Sequence, residues 1–473
     1  MLKNQTLKHN KASTTSNAAN ARSVLVKMDR WQNKVAVVTG ASSGIGAACV
    51  QYLLKNGMIV VGLARRLERM DSNRSELPKE QQKRFHTKRC DVSKEADILE
   101  TFAWIESELG GVDVLVNNAG IVRDTLLTKP NNSADLKATM DTNVMGVVYC
   151  TREAFQSMKK RGVDGHVLII NSIAGHNCPM LPGMNLNIYP PSKYAVTAMT
   201  EVLRQEFLLH KTGIKVTVTA SFFDEIFFFF FIFSNLIRYR MTRSTMDRWQ
   251  NKVAVVTGAS AGIGAACVRY LLNNGMIVVG LARRLERMDS MRSELSDEQQ
   301  KSFHTVRCDV IKEADILEAF AWIDTKLGGV DVLINNAGII REHMQLTMPN
   351  NSADLKAIMD TNVMGVAYCT REAFQSMNKR GIDGHVVIIN SVAGHKIPVF
   401  PGVSMNLYAA SKHAITAMTE VLRQEFLLHK TGIKITTSII IRIFKIDTFH
   451  SVLYFVLNFH FKLYYNILAC NIK

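Results

Sequence analysis

The sequence predicts an α/β protein of two tandem domains, each a doubly wound parallel sheet with helices on both faces. Two observations carry this. MDRWQNKVAVVTGASSGIGAACV at 28–50 returns as MDRWQNKVAVVTGASAGIGAACV at 246–268. Within each copy, short β-branched apolar runs alternate with longer stretches of helical periodicity, the pattern of buried parallel strands joined by crossover helices. The register shift between copies is 218 residues until after Arg123, where the second copy gains one residue (DTLLTKP against EHMQLTMP), and 219 thereafter. About four positions in five agree, over a unit far longer than a solenoid repeat. The chain therefore divides into a basic tail at 1–27, copy 1 at 28–219, an aromatic linker at 220–245, copy 2 at 246–437 and an atypical apolar tail at 438–473.

In copy 1, strands are expected at Lys34–Val38, Met58–Ala64, Phe85–Asp91, Asp113–Ala119, Gly165–Ser172 and Lys215–Thr219. Helices are expected at Ile45–Asn56, closed by Gly57 as a left-handed C-terminal residue, then near Lys94–Leu109, Ser133–Lys160 and Tyr189–His210. In such a sheet a ligand binds beyond the carboxyl ends of the strands.

Composition excludes several classes. At 47% hydrophobic and 21% charged residues the chain is of ordinary globular make-up, not disordered or fibrous. Of the formal charge of +16, more than half lies outside the two copies, where basic residues outnumber acidic ones by only 24 to 19 and 21 to 19. A nucleic-acid partner is thus not expected, since a phosphate-binding face needs clustered cations. The eight cysteines have neither disulfide-framework nor metal-ligand spacing, so no metal is expected and a reduced, cytoplasmic setting is. The acid-free, basic residues 1–27 also resemble a mitochondrial transit peptide, the competing address. The aromatic runs at 226–233 and 448–461 are too short to span a bilayer.

After the first strand comes Thr39-Gly40-Ala41-Ser42-Ser43-Gly44-Ile45-Gly46, repeated with Gly258, Ser260, Ala261, Gly262, Ile263 and Gly264 in copy 2. Glycines between a strand and a helix permit a tight turn and close approach of a pyrophosphate to the helix N-terminus, the Rossmann-type dinucleotide fingerprint. The second strand ends in Arg65 and Arg66 (Arg283 and Arg284) where NAD binders carry an acid. Arginine there accommodates a 2′-phosphate, so NADP is the expected cofactor, although either arginine could instead pair with Glu68 or face solvent. Asp91-Val92 and Asp309-Val310 end the third strand, where the aspartate either meets an adenine amino group or caps a helix. Asn117, Ala119 and Gly120, with Asn335, Ala337 and Gly338, end the fourth and could pack against the nicotinamide ribose or stitch strands together.

Further along lie Asn143, Ser172 ending the fifth strand, and Tyr189 with Lys193 four residues on; copy 2 has Asn362, Ser391, Tyr408 and Lys412. On a helix this spacing sets an ammonium beside a phenol, which favours phenolate and readies it for proton exchange. Alone, the Tyr-x-x-x-Lys pair occurs by chance in many helices.

TGxxxGxG, NNAG, an Asn in the next helix, a strand-ending Ser and YxxxK, in this order, resemble the short-chain dehydrogenase/reductase family. The phrases CTREAFQSM, INSIAGH and TAMTEVLRQEF are most similar to its insect farnesol dehydrogenase-like branch and to vertebrate relatives acting on steroids. The resemblance implies an NADP-dependent oxidoreductase interconverting a secondary or allylic alcohol, isoprenoid or steroid-like, and its carbonyl. It assigns catalytic roles to Asn143, Ser172, Tyr189 and Lys193, and to Asn362, Ser391, Tyr408 and Lys412, with Asn143 holding a relay water. It also implies pairing of the Asn-bearing and Tyr-bearing helices with a second subunit, so the duplicated chain is expected to form a monomeric pseudo-dimer.

The chain departs from the family in two respects. No Pro-Gly turn, substrate loop or seventh strand is recognisable after either sixth strand, so each copy lacks the usual C-terminal part. The phenylalanine-rich and tyrosine-rich segments there read like translated non-coding sequence joining two genes. The alternative reading is accordingly a catalytically impaired, nucleotide-binding pseudo-enzyme. Copy 1 also reads Tyr189-Pro190-Pro191-Ser192-Lys193 where copy 2 has Tyr408-Ala409-Ala410-Ser411-Lys412. Proline disfavours helical dihedrals in its predecessor, so copy 2 is expected to be the better catalyst.

Overall fold

The computed structural model describes residues 28–180, 183–221, 246–341, 344–399 and 404–440. The basic tail, the linker from 222 to 245 and the tail from 441 onward lie outside the described residues. Copy 1 runs β1 (Val35–Thr39), α1 (Gly44–Lys55), β2 (Ile59–Ala64), α2 (Leu67–Ser75), α3 (Lys79–Arg84), β3 (Phe85–Arg89), α4 (Glu95–Leu109), β4 (Val114–Asn117), α5 (Ser133–Met140), α6 (Gly146–Arg161), β5 (His166–Ser172), α7 (Tyr189–Leu209) and β6 (Lys215–Ser221). Copy 2 repeats it as β7 (Val253–Thr257), α8 (Gly262–Asn273), β8 (Ile277–Ala282), α9 (Leu285–Ser293), α10 (Asp297–Ser302), β9 (Phe303–Arg307), α11 (Glu313–Leu327), β10 (Val332–Asn335), α12 (Ser352–Met359), α13 (Gly365–Lys379), β11 (His385–Ser391), α14 (Asn406–Leu428) and β12 (Lys434–Ile440).

Each copy forms a six-stranded sheet, β3-β2-β1-β4-β5-β6 and β9-β8-β7-β10-β11-β12, parallel throughout. Strand order reverses between β1 and β4, which opens a crevice at their carboxyl ends. Burial on both faces explains why VAVVT and IVVGLA read as unbroken apolar runs. Ala36, Val38, Val60 and Phe85 pack with Leu54 of α1 and Met70 of α2 on one face. Val37, Leu63, Leu115 and Ile169 pack with Ile98, Phe155 and Met199 on the other.

Two features were not expected. The polar segments after β2 form α2 and α3; α2 has little apolar face and is anchored by fully buried Met70. The long helix over 133–160 is interrupted by a π-helical turn at Asp141–Met145, which carries Asn143, and Asp360–Met364 does the same in copy 2. Gly57 closes α1 as expected, with φ +77° and its N–H donating to Leu54.

The two copies share one continuous buried apolar cluster running through α6, α7, α13 and α14. Polar groups cross between them in near-symmetric pairs. Arg152 donates to Ser352 Oγ at 2.7 Å and Asn351 Oδ1 at 3.3 Å, and Arg371 to Ser133 Oγ at 2.8 Å and Asn132 Oδ1 at 3.1 Å. Each guanidinium is also paired within its own copy, to Glu95 and Glu313 at 2.6 Å. Gln156 and Gln375 donate to Thr347 O and Thr128 O across the boundary.

Candidate active site

The glycine turn is fixed by contact. Gly40 lies at φ +67°, and a Cβ on Gly46 would stand 2.3 Å from the Gly40 carbonyl oxygen. Only glycine lets the first turn of α1 close onto the end of β1. Thr39 locks this turn to β4: its hydroxyl accepts the Asn118 and Ala119 N–H groups at 3.0 Å, while Asn118 Nδ2 donates back to Thr39 O at 3.0 Å. Ser43 precedes α1 in extended conformation and makes no side-chain cap, so the helix's first amides keep no partner from it.

A cleft of about 350 Å³ lies over the crevice. Gly40, Ser42, Ser43 and Ile45 line one end with Arg65, Arg66, Asp91 and Val92; Ala119, Gly120, Ser172, Tyr189 and Lys193 line the other. Arg66 donates to the Ser42 and Ser43 hydroxyls at 3.2 Å, and Arg284 to Ser260 at 3.3 Å. Among the described residues neither Arg65 nor Arg66 forms an ion pair with Glu68. Asp91 closes the turn before α4, its Oδ1 accepting Ser93 N–H at 3.1 Å and Ser93 O–H at 2.8 Å, and does not cap the helix itself. In copy 2 Asp309 Oδ1 accepts Ile311 N–H at 3.3 Å.

At the chemical end Tyr189 opens α7, and Lys193 Nζ sits 5.7 Å from its ring centroid. In copy 2 the Lys412–Tyr408 distance is 5.8 Å. The expected fault in copy 1 is therefore absent: Pro190 and Pro191 fall within the first helical turn, where a missing N–H costs nothing. The prolines instead set where the helix starts, at Tyr189, whereas α14 begins two residues earlier at Asn406. Each lysine is held by a β-strand carbonyl, Ile170 at 3.4 Å and Ile389 at 3.1 Å.

Burial pulls both lysines down to about 8. Burial also pushes the Tyr189 phenol up, opposed by a hydrogen bond with Ser172. Burial of the phenol thus works against the lowering expected from the neighbouring lysine. Ser172 Oγ accepts the Ala174 N–H at 3.1 Å, which leaves its own proton to donate, and Ser391 does the same with Ala393.

Asn143 stands one layer behind. Its Oδ1 accepts Ile121 N–H at 2.8 Å, and its Nδ2 donates to Ile121 O at 2.9 Å and Ser192 Oγ at 3.1 Å. Asn362 repeats these bonds with Ile339 and Ser411. Both side-chain protons are committed, so the residue braces the loop after β4 and retains only acceptor capacity toward a water.

Asn117 and Asn335 are not at the cleft. They are buried and donate to Thr151 and Thr370 on the facing helices, at 2.8 and 2.9 Å. Strand alternation turns the first Asn of each pair toward the helices and brings Asn118, which lines the cleft, to the loop. Alternation along the NN doublet was the signal for this. Ser192 and Ser411 were also missed; they tie Asn143 and Asn362 to the carbonyls of Tyr189 and Tyr408, at 2.6 and 2.7 Å. Their spacing, one residue before each lysine, marks the buried side of the helix.

The chain belongs to the short chain dehydrogenase family, an oxidoreductase family, whose model matches residues 34–222 and 252–442. It is 55% identical over 193 residues to farnesol dehydrogenase of Aedes aegypti, covering 41% of this chain and 77% of that one. It is 42% identical over 198 residues to dehydrogenase/reductase SDR family member 11 of Mus musculus, covering 41% and 75%. The NADP-containing C-domain of a bacterial malonyl-CoA reductase shares the fold across both copies, with a TM-score of 0.65 over 88% of this chain and 92% of that one, at 12% identity. Among the described residues no helix is long and apolar enough to cross a membrane.

Proposed function

We propose that each copy is an NADP-dependent site interconverting a secondary or allylic alcohol, isoprenoid or steroid-like, and its carbonyl. The observation that carries this is the convergence of Ser172, Tyr189 and Lys193 on the same cleft as the glycine turn and the Arg65–Arg66 pair. The relatives' names, one a farnesol dehydrogenase, support the substrate class. The residues fit the cofactor: Gly40 and Gly46 admit no side chain, and the amides opening α1 would hold a pyrophosphate. Arg65 and Arg66 would hold a 2′-phosphate, and no acid at the end of β2 opposes it.

When bound, the nicotinamide exchanges a hydride with the substrate carbon. Tyr189 gives or takes the proton at the substrate oxygen, and the Ser172 hydroxyl donates a hydrogen bond to that oxygen. Lys193 favours the phenolate form, which burial alone disfavours. Tyr408, Ser391 and Lys412 act alike in copy 2. The matching geometries give both copies turnover, in place of the dominance of copy 2 expected from the prolines. The shared core and crossed hydrogen bonds support a monomeric pseudo-dimer. Among the described residues the cysteines are free and largely buried, which suits a reducing, cytoplasmic setting.

The test is turnover of a farnesol-like allylic alcohol with NADP and with NAD. Tyr189→Phe or Tyr408→Phe alone should leave part of the activity, and the double variant should abolish it with NADPH binding intact. NADPH bound without turnover in the parent chain would favour the pseudo-enzyme reading. Replacing Arg65, Arg66, Arg283 and Arg284 by Ser should weaken NADPH roughly tenfold or more and spare NADH, because charged hydrogen bonds are worth about 1.5–3 kcal/mol. Equal losses for both cofactors would refute NADP.

A further inference from the structure

Two carboxylates near the carboxyl ends of the tyrosine-bearing helices cross into the opposite copy. Glu206 of α7 is fully buried and meets no lysine or arginine within ion-pair distance among the described residues. Its Oε1 accepts Leu346 N–H at 2.7 Å and its Oε2 accepts Thr347 N–H at 3.0 Å and Thr347 O–H at 2.9 Å. Glu425 of α14, also buried, holds Leu127 N–H at 2.7 Å, Thr128 N–H at 2.9 Å and Thr128 O–H at 2.8 Å. A buried carboxylate held only by neutral donors is costly, so these carboxylates call for an account beyond packing.

The loops they grip are the ones that leave the cleft. Ile121, braced by Asn143, and Val122 line the cleft, and Thr128 lies a few residues on. The same loop is bound to the entry of the tyrosine helix: Asn187 Nδ2 donates to Arg123 O. In copy 2 Asn406, forced to φ +38°, donates to Arg341 O at 2.6 Å, and its Oδ1 accepts Tyr408 N–H at 3.0 Å.

Copy 2 has one link that copy 1 lacks. Ser404 Oγ donates to Glu206 Oε1 at 2.7 Å and accepts Asn406 N–H at 2.9 Å. A chain of hydrogen bonds thus runs from Glu206 in copy 1 through Ser404 and Asn406 to the backbone of Tyr408. The counterpart of Ser404 is Asn185, which turns to Asp124 of its own copy at 3.0 Å.

We propose that Glu206 and Glu425 are positioning residues acting in trans: each orders the cleft loop of the other copy, and Glu206 also sets the tyrosine of copy 2 through Ser404. This rests on the dehydrogenase reading above, and the two are separable by experiment.

The test uses the full chain with one tyrosine removed at a time. In Tyr189→Phe, where copy 2 alone turns over, Glu206→Gln should lower kcat roughly tenfold or more, as misplacement of reacting groups does, with the KM for NADPH unchanged. In Tyr408→Phe, Glu206→Gln should leave copy 1 near its starting rate, and Glu425→Gln should show the mirror pattern. Ser404→Ala, a milder change that guards against misfolding, should lower kcat of copy 2 only. Equal loss at both sites, loss confined to the mutated copy, or no loss would overturn the proposal. If the parent chain turns nothing over, the dehydrogenase reading fails and amide hydrogen exchange decides the positioning. Faster exchange at Leu346 and Thr347 in Glu206→Gln, with Leu127 and Thr128 unchanged, would uphold it; unchanged exchange at Leu346 and Thr347 would overturn it.

Discussion

Substituting alanine for Gly46 and its counterpart Gly264 tests the cofactor turn directly. The added methyl would sit 2.3 Å from Gly40 O and 2.6 Å from Asn118 Nδ2 in copy 1, and 2.2 and 2.6 Å from the matching atoms in copy 2. Ordinary carbon–oxygen contact needs about 1 Å more, and the obstructing carbonyl is backbone at the end of a fully buried strand. Helix α1 must therefore move away from β4 or the Thr39–Asn118 lock must open. Overpacking of this kind costs about 1–3 kcal/mol, and a shift of that size removes the helix amides from where a pyrophosphate would lie. Gly44→Ala is the control: its added methyl meets nothing within 4 Å, though φ +54° strains it, at about 1–2 kcal/mol. Differential scanning calorimetry and NADPH fluorescence titration on Gly46→Ala/Gly264→Ala should show a lowered Tm and affinity reduced beyond detection. Gly44→Ala/Gly262→Ala should lower Tm with weaker but measurable binding. Wild-type affinity in the Gly46→Ala/Gly264→Ala chain would refute the turn as the cofactor cradle.

Stability should depend on pH through the buried lysines. Lys193 and Lys412 release their protons near 8 when folded, against 10.5 when unfolded, so between those values the unfolded chain binds more protons and stability climbs with pH. Urea midpoints for Lys412→Met should rise less from pH 8 to pH 10 than those of the parent, and parallel curves would contradict this. Arg371→Ala should cost about 3 kcal/mol, because it strands Glu313 beside Ser133 and removes bonds to Asn132 of the other copy; an unchanged urea midpoint would refute the role given to that crossing. In sedimentation the chain should run at its own 52.9 kDa, and a particle of twice that mass persisting on dilution would show that the helices pair between chains.

Most of the sheet was readable because burial on both faces leaves an apolar signature that polar substitutions would break, as in VAVVT and IVVGLA. Helix α2 escaped because its stability comes from Met70 reaching the core, a tertiary contact that local periodicity does not record. The π-helical turn escaped for a related reason: nothing in Asp-Thr-Asn-Val-Met marks a wider turn, and the register change appears only when Asn143 meets the Ile121 backbone. The cleft residues were legible by type and order, whereas the facing of each Asn in the NN doublet depended on strand phase. The proline pair misled because the bias against helical dihedrals before a proline counts for less than proline's fit to the first helical turn, where Pro190 and Pro191 lie.

The crossed interface has an evolutionary consequence. In an assembly of identical subunits every substitution at a twofold contact is made twice, so a change good on one side must be tolerable on the other. Joining the halves in one chain removes that constraint. Ser404 against Asn185, and Gln345, which takes a hydrogen bond from His210 at 2.8 Å, against Leu126, are positions where one half has moved without its mirror. Such a chain can specialise one site while the other goes on supplying its share of the scaffold.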